Sequence, residues 1–128
     1  MKESVLKFAN PRIKYMMIEA NDKFRKEAYK GMPMEAETGI VNNFENKEAK
    51  VSLDIKLGDE SIESPFQIKV IIEADFKWEE EILEEKITDM LKVNGSAMLL
   101  SYVRPVVSFM TVQAGFPPFH IPFMDTTD

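Results

Sequence analysis

An α+β fold, with strands first and helices packed on one face of the sheet they form, follows from one change of rhythm in the sequence. From Phe66 to Trp78 apolar side chains fall on every second residue: Phe66, Ile68, Val70, Ile72, Ala74, Phe76 and Trp78, interleaved mainly with Gln67, Lys69, Glu73, Asp75 and Lys77. A period of two marks a strand with one face on a core and the other in water. After Trp78 the period lengthens, and Ile82, Leu83, Ile87, Met90 and Leu91 recur at helical steps. Strands grouped before helices imply a sheet covered on one face by the helices.

Taken in order, the segment from Ile13 to Phe24 reads as extended. Tyr15, Met16, Met17 and Ile18 put apolar side chains on both of its faces, so it is expected either to be buried on both sides or to lie where two subunits meet. A solvated edge would carry charges instead. Arg25 to Met34, ending in Gly31, Met32, Pro33 and Met34, is expected to be a crossover loop. Glu37 to Phe44 is a weaker strand, followed by a polar turn at Glu45 to Lys47. The next run turns Ala49, Val51, Leu53, Ile55 and Leu57 inward and Lys50, Ser52, Asp54 and Lys56 outward. Gly58 and Asp59 supply turn chemistry before Phe66. Connections this short make three consecutive antiparallel strands. Glu79, Glu80 and Glu81 are expected in the first turn of a helix, where negative charge is favoured, and Asn94 and Gly95 are expected to end it. A second helix is predicted from Ser96 to Ala114, stopped by Gly115, Pro117 and Pro118.

The chain is read as one domain, 1–128, with 45% hydrophobic and 30% charged residues, the balance of a folded domain. Its net charge of −6 disfavours nucleic acid, since affinity for phosphate backbones comes mainly from Lys and Arg. With no cysteine, disulfides and thiolate metal sites are excluded. Met1 to Asn10 has no apolar signal-peptide core, and a cytoplasmic location is expected. Ala97 to Phe116 has the length of a membrane span but contains Arg104, Pro105 and Gln113; an Arg at the bilayer centre costs about 2.5–3.5 kcal/mol even on insertion scales. No membrane insertion is expected.

The second helix is too apolar for one sheet to cover. Ser101, Arg104, Ser108 and Thr111 form a single narrow polar row, and around it lie Met98, Leu99, Leu100, Tyr102, Val103, Val106, Val107, Phe109, Met110 and Val112. Each large apolar side chain left in water forgoes roughly 1.5–3 kcal/mol. The expectation is therefore a homo-oligomer in which this helix meets a copy of itself, with Tyr15, Met17, Met98, Tyr102, Arg104, Val106, Phe109 and Met110 at the interface; the alternative is a helix covered by the C-terminal tail alone. Pro105 removes the amide that would bond Ser101 and predicts a bend.

The stretch NGSAMLLSYVRPVVSFMT from Asn94 to Thr111, followed by AGFPPFHIPFMD from Ala114 to Asp125, resembles the C-terminal signature of SecB-type export chaperones. Asn94, Leu99, Leu100, Tyr102, Arg104, Gly115, Phe116, Pro117, Pro122 and Asp125 occupy the signature's places, while Ser101 stands where the family usually has proline. The resemblance implies a four-stranded antiparallel sheet, a long interface helix, a dimer of dimers, and binding of unfolded or precursor polypeptides without ATP or another cofactor. It also implies that the crossover loop borders an apolar peptide groove, and that acidic surface can face the translocase ATPase.

Holding unfolded chains needs adaptable apolar surface, and unbranched, polarizable Met supplies it. Met32 and Met34 in the loop, Phe116, Phe119, Ile121, Phe123 and Met124 in the tail, and Phe76 and Trp78 as a floor are the candidates for the groove; the alternative for all of them is that they simply fill the core, and for Phe76 and Trp78 that is the favoured reading. Glu79, Glu80, Glu81, Glu84 and Glu85 form an acidic surface that could dock a basic partner or simply be a solvated helix face. A dedicated toxin–antitoxin chaperone and a binder of small apolar ligands remain as alternatives. An enzyme is not expected: His120 is the single histidine, with no Ser or Cys nucleophile near it in the sequence pattern, and the five glycines are scattered rather than gathered in a phosphate loop.

Overall fold

The alternating runs form the centre of a four-stranded antiparallel sheet. In the computed structural model, which describes residues 5–122, the strands are β1 (Lys7–Ala20), β2 (Met34–Asn43), β3 (Glu48–Leu57) and β4 (Phe66–Lys77), arranged in the order β1-β4-β3-β2. The inward sets of β3 and β4 are all buried, and Val51, Ile55, Leu57, Ile68, Val70, Ala74 and Phe76 are wholly so. Val51 pairs with Ala74, Leu53 with Ile72 and Ile55 with Val70, so the two sets share one face. Long β-branched and aromatic side chains on that face create the apolar wall on which a helix can pack.

One continuous helix, α1 (Glu84–Gln113), covers that face. This corrects the expectation of two helices parted at Asn94 and Gly95. Instead of ending, the helix widens to π geometry over Leu91–Gly95 and resumes at Ser96–Gln113. Gly95 is buried there against Val51 and Phe76, so its small size serves close packing rather than a cap. Ser96 and Thr38 share a hydrogen bond of 2.7 Å that ties the helix to β2. The helix also starts later than expected: Glu84 and Glu85 are in its first turn, while Glu79 and Glu81 lie before it, paired with Lys7 and Lys47. By length and composition α1 could cross a membrane, but its inner side is packed on the sheet.

The C-terminal end of α1 is a full Schellman turn. Phe116 N–H donates to Thr111 C=O at 2.9 Å, Gly115 N–H to Val112 C=O at 3.0 Å, and Gly115 takes the left-handed φ of 92° that the turn requires.

The edge strands differ from expectation in instructive ways. β1 begins six residues earlier than the apolar run suggested, at Lys7 rather than Ile13, and is not buried on both faces within this chain. It is an edge, with Ile13, Tyr15 and Met16 38%, 47% and 50% exposed. Two bulges interrupt its pairing with β4, between Ala9 and Arg12 and between Ile13 and Tyr15, and Asn10 at the first takes φ 54°. Arg12 bridges Glu73 at 2.8 Å and Asp75 at 3.3 Å, and the Asn10 amide donates to Asp75 at 3.1 Å. At the other edge β2 starts at Met34, which pairs with Leu57; Met34 thus belongs to the strand and not to the crossover loop.

Candidate functional site

Three segments converge at the β4 end that begins with Phe66. The crossover between β1 and β2 is fastened by Asn21. Its amide nitrogen donates to Ser61 C=O at 2.7 Å and Ser64 C=O at 2.8 Å, and its backbone N–H to Pro65 C=O at 3.0 Å. Arg25 N–H adds a bond of 2.8 Å to Ile62 C=O. The loop before β4 is stiffened in turn by Asp59, whose carboxylate accepts from Ser61 N–H and the Ser64 hydroxyl. The nearby Ser61 side chain first, and the Ser61 N–H second, hold the Asp59 carboxyl below the ordinary carboxylate range. At the base, buried Gly58 has φ 76°, and an added Cβ would come within 2.1 Å of Phe66 C=O and 2.9 Å of the Met32 methyl.

The third segment is the stretch after α1, a strap that runs back along the helix. Phe119 N–H donates to Thr111 Oγ1 and Ser108 Oγ donates to Phe119 C=O, both at 2.9 Å. Arg104 Nε and Nη2 donate to Ile121 C=O at 3.2 and 2.9 Å, and Ile121 is 2% exposed. Three residues of the narrow polar row, Arg104, Ser108 and Thr111, therefore grip the strap backbone, while the Ser101 hydroxyl donates to Ala97 C=O within the helix.

Between loop and strap lies an open apolar cleft of about 570 Å³ lined by Phe24, Lys26, Tyr29, Met32, Pro65, Phe66, Phe116, Pro117, Pro118 and Phe119. Phe66 is its pivot, with ring centroids 4.8 Å from Phe116 and 6.2 Å from Phe119. Phe24 and Tyr29 meet edge to face at 6.3 Å across the loop. Aromatic and Met side chains around an open cleft offer large apolar contact at modest entropic cost. Among the described residues Lys26 is the single charged side chain on the wall.

Of the expected groove residues, Met32, Phe116 and Phe119 come together here. Ile121 lies beneath the strap as its buried anchor. Phe76 and Trp78 are core residues at the opposite end of β4, roughly 30 Å from Phe66 at the rise of a strand, and Phe76 packs edge to face on Phe8. Phe123 and Met124 lie outside the described residues. Phe24, Tyr29, Pro65 and Phe66 were missed by the sequence reading. Phe66 was legible as an inward residue, and its position at the strand end is what brings it to the cleft.

The residues assigned to an interface divide by face. Tyr15 and Met17 pair with Ile71 and Lys69 on the sheet face away from the helix. Met98, Tyr102, Val106 and Phe109 form a stripe on the flank of α1 opposite the strap, with Tyr102 and Phe109 49% and 64% exposed. Met110 is buried in the core, and Arg104 is on the strap side. Glu79, Glu80 and Glu84 are exposed.

His120 does have a serine neighbour, contrary to expectation, with Nδ1 3.0 Å from Ser108 Oγ. The Ser108 hydroxyl has one proton, and when that proton is given to Phe119 C=O it is Nδ1 that must donate in this pair. A histidine protonated on that nitrogen cannot act through it as the base that activates the hydroxyl. Among the described residues no group of three or more His, Asp or Glu side chains is arranged to hold a metal ion.

This sheet, long helix and flanking cleft define a SecB-like α+β fold. The chain is similar to the SecB-like chaperone Rv1957 of Mycobacterium tuberculosis, solved with a ChAD peptide from the HigA1 antitoxin, at a TM-score of 0.74 and 16% identity over 93% of this chain and 90% of that one. It is also similar to a protein of unknown function from Streptococcus agalactiae, at a TM-score of 0.51 and 14% identity over 92% and 97% of the two chains. No protein-family model matches the sequence, and no curated protein does.

Proposed function

We propose that this chain is a non-enzymatic, ATP-independent holdase that binds apolar segments of unfolded or precursor polypeptides in the Phe66 cleft. The observation that carries the reading is the cleft itself: five aromatic rings, a methionine and three prolines around an open trough, beside a fold shared with a chaperone whose structure holds a peptide. Such a surface accepts many sequences because its contacts are apolar and adaptable. Its being open along one side suits a chain passing through it better than a small enclosed ligand.

The working form is a cytoplasmic homo-oligomer, most simply a dimer of dimers, joined through the bare stripe of Met98, Tyr102, Val106 and Phe109. The exposed carboxylates of Glu80 and Glu84 are available to a basic partner such as the translocase ATPase. A second reading, a chaperone dedicated to one antitoxin-like partner, is favoured by the antitoxin peptide in the Mycobacterium structure.

Aggregation suppression with a panel of unrelated denatured proteins tests the proposal and separates the readings. A general holdase protects several clients at near-stoichiometric ratio without nucleotide, and Tyr29→Ser, at a half-exposed residue of the cleft wall, weakens protection of all of them. Protection of one client alone supports the dedicated reading. Protection of none, together with no binding of an antitoxin-derived peptide, contradicts both.

A further inference from the structure

Thr111 is a fully buried hydroxyl in an otherwise apolar stretch of helix. Burying a hydroxyl is costly unless it is bonded, and this one bonds twice, donating to Ser108 C=O and accepting from Phe119 N–H, each at 2.9 Å. Its backbone carbonyl accepts from Phe116 N–H. One turn earlier, Ser108 Oγ donates to Phe119 C=O. Both polar backbone atoms of Phe119 are thus held by two helix hydroxyls, and the backbone of Phe116 is held by the same Thr111. Between the two aromatic residues stand Pro117 and Pro118, whose rings fix φ and leave the connection little freedom. The rings so fixed are the ones that meet Phe66 and form one wall of the cleft.

The polar pair is not needed merely to attach the strap. Ile121 is buried farther along, and Arg104 holds its carbonyl. What Thr111 and Ser108 add is the position of the wall. We infer that Thr111, assisted by Ser108, is a positioning residue that sets the width of the cleft and thereby its preference for large aromatic over aliphatic client side chains. This rests on the reading that the cleft binds apolar segments. When Phe119 loses either backbone bond, its ring settles closer onto Phe66, and the space for the largest side chains is lost first.

The test uses two fluorescein-labelled peptides of matched Ser/Gly/Lys background, one carrying Trp and the other Leu at alternate positions. They are titrated into the unsubstituted chain and into Thr111→Val, Thr111→Ser and Ser108→Ala, with melting temperature measured alongside. Thr111→Val is expected to weaken the Trp peptide about tenfold relative to the Leu peptide, equivalent to ~1.4 kcal/mol. Thr111→Ser, which keeps the hydroxyl, restores the preference, and Ser108→Ala shifts it in the same direction by less. A purely structural role moves the melting temperature and leaves the Trp-to-Leu ratio constant, and a constant ratio in Thr111→Val overturns the inference. If Thr111→Val does not fold, Ser108→Ala decides on the same ratio. If the unsubstituted chain binds neither peptide, the cleft reading falls and this inference falls with it.

Discussion

The two flanks of the long helix meet opposite fates. On one, Arg104, Ser108 and Thr111 are occupied by the backbone of the strap. On the other, Met98, Tyr102, Val106 and Phe109 are left partly or largely in water. A polar row on an apolar helix is ordinarily read as the wet side, yet here it is the covered one. Polarity on a buried helix reports a need for hydrogen-bond partners, and the partner can be the protein's own backbone as well as water. The flank lacking such groups has nothing to offer a strap, and its apolar side chains stay partly in water.

Substitutions on the two flanks should therefore fail in different ways. The largest effect is expected at the strap anchor: Ile121→Ala removes a buried side chain and should cost roughly 2–5 kcal/mol in urea unfolding, with loss of client protection because the cleft wall is released. On the bare flank, a combined Tyr102→Ser and Phe109→Ser change should alter the fold of the subunit little while lowering the mass seen by light scattering toward the 14.7 kDa of one chain. A mass already at that value in the unsubstituted protein would remove the bare flank's assigned role. The smallest effect concerns the edge strand next to that flank. The Asn10 amide first, and the Arg12 guanidinium second, hold the Asp75 carboxyl below the ordinary carboxylate range. Because the folded value is depressed, its contribution is complete above the unfolded carboxylate pKa of about 4 and disappears as pH falls through the lower, folded one. Acid unfolding of Asp75→Asn should accordingly show a shallower loss of stability below pH ~4 than the unsubstituted chain.

Where one side chain's environment depends on near neighbours in the sequence, the fold was readable. The period-two runs of β3 and β4 named their buried residues, and Gly115 with its two following prolines marked the end of α1. Asn94 and Gly95 misled because their helix-stopping chemistry is local, whereas the reason they continue the helix is the packing of Gly95 on Val51 and Phe76, which come from distant strands. The apolar run in β1 was visible, but its place at the sheet edge depends on pairing with β4 across the chain. For the cleft, Met32, Phe116 and Phe119 were legible as unassigned apolar residues in loop and tail. Phe24 and Tyr29 were not, since they sit among charges in the crossover. Phe76 and Trp78 show the converse limit: alternation identifies an inward face without saying which end of a strand borders the surface.

Methionine methyl NMR tests the central claim most directly, because the chain carries natural reporters in both regions. Met32 lies in the cleft, whereas Met16 and Met98 lie along the edge strand and the bare flank. On titration with an aromatic-rich peptide, the account predicts that the Met32 methyl shifts while those of Met16 and Met98 stay in place. Shifts at Met16 and Met98 with Met32 unmoved would put the client on the bare flank and contradict it.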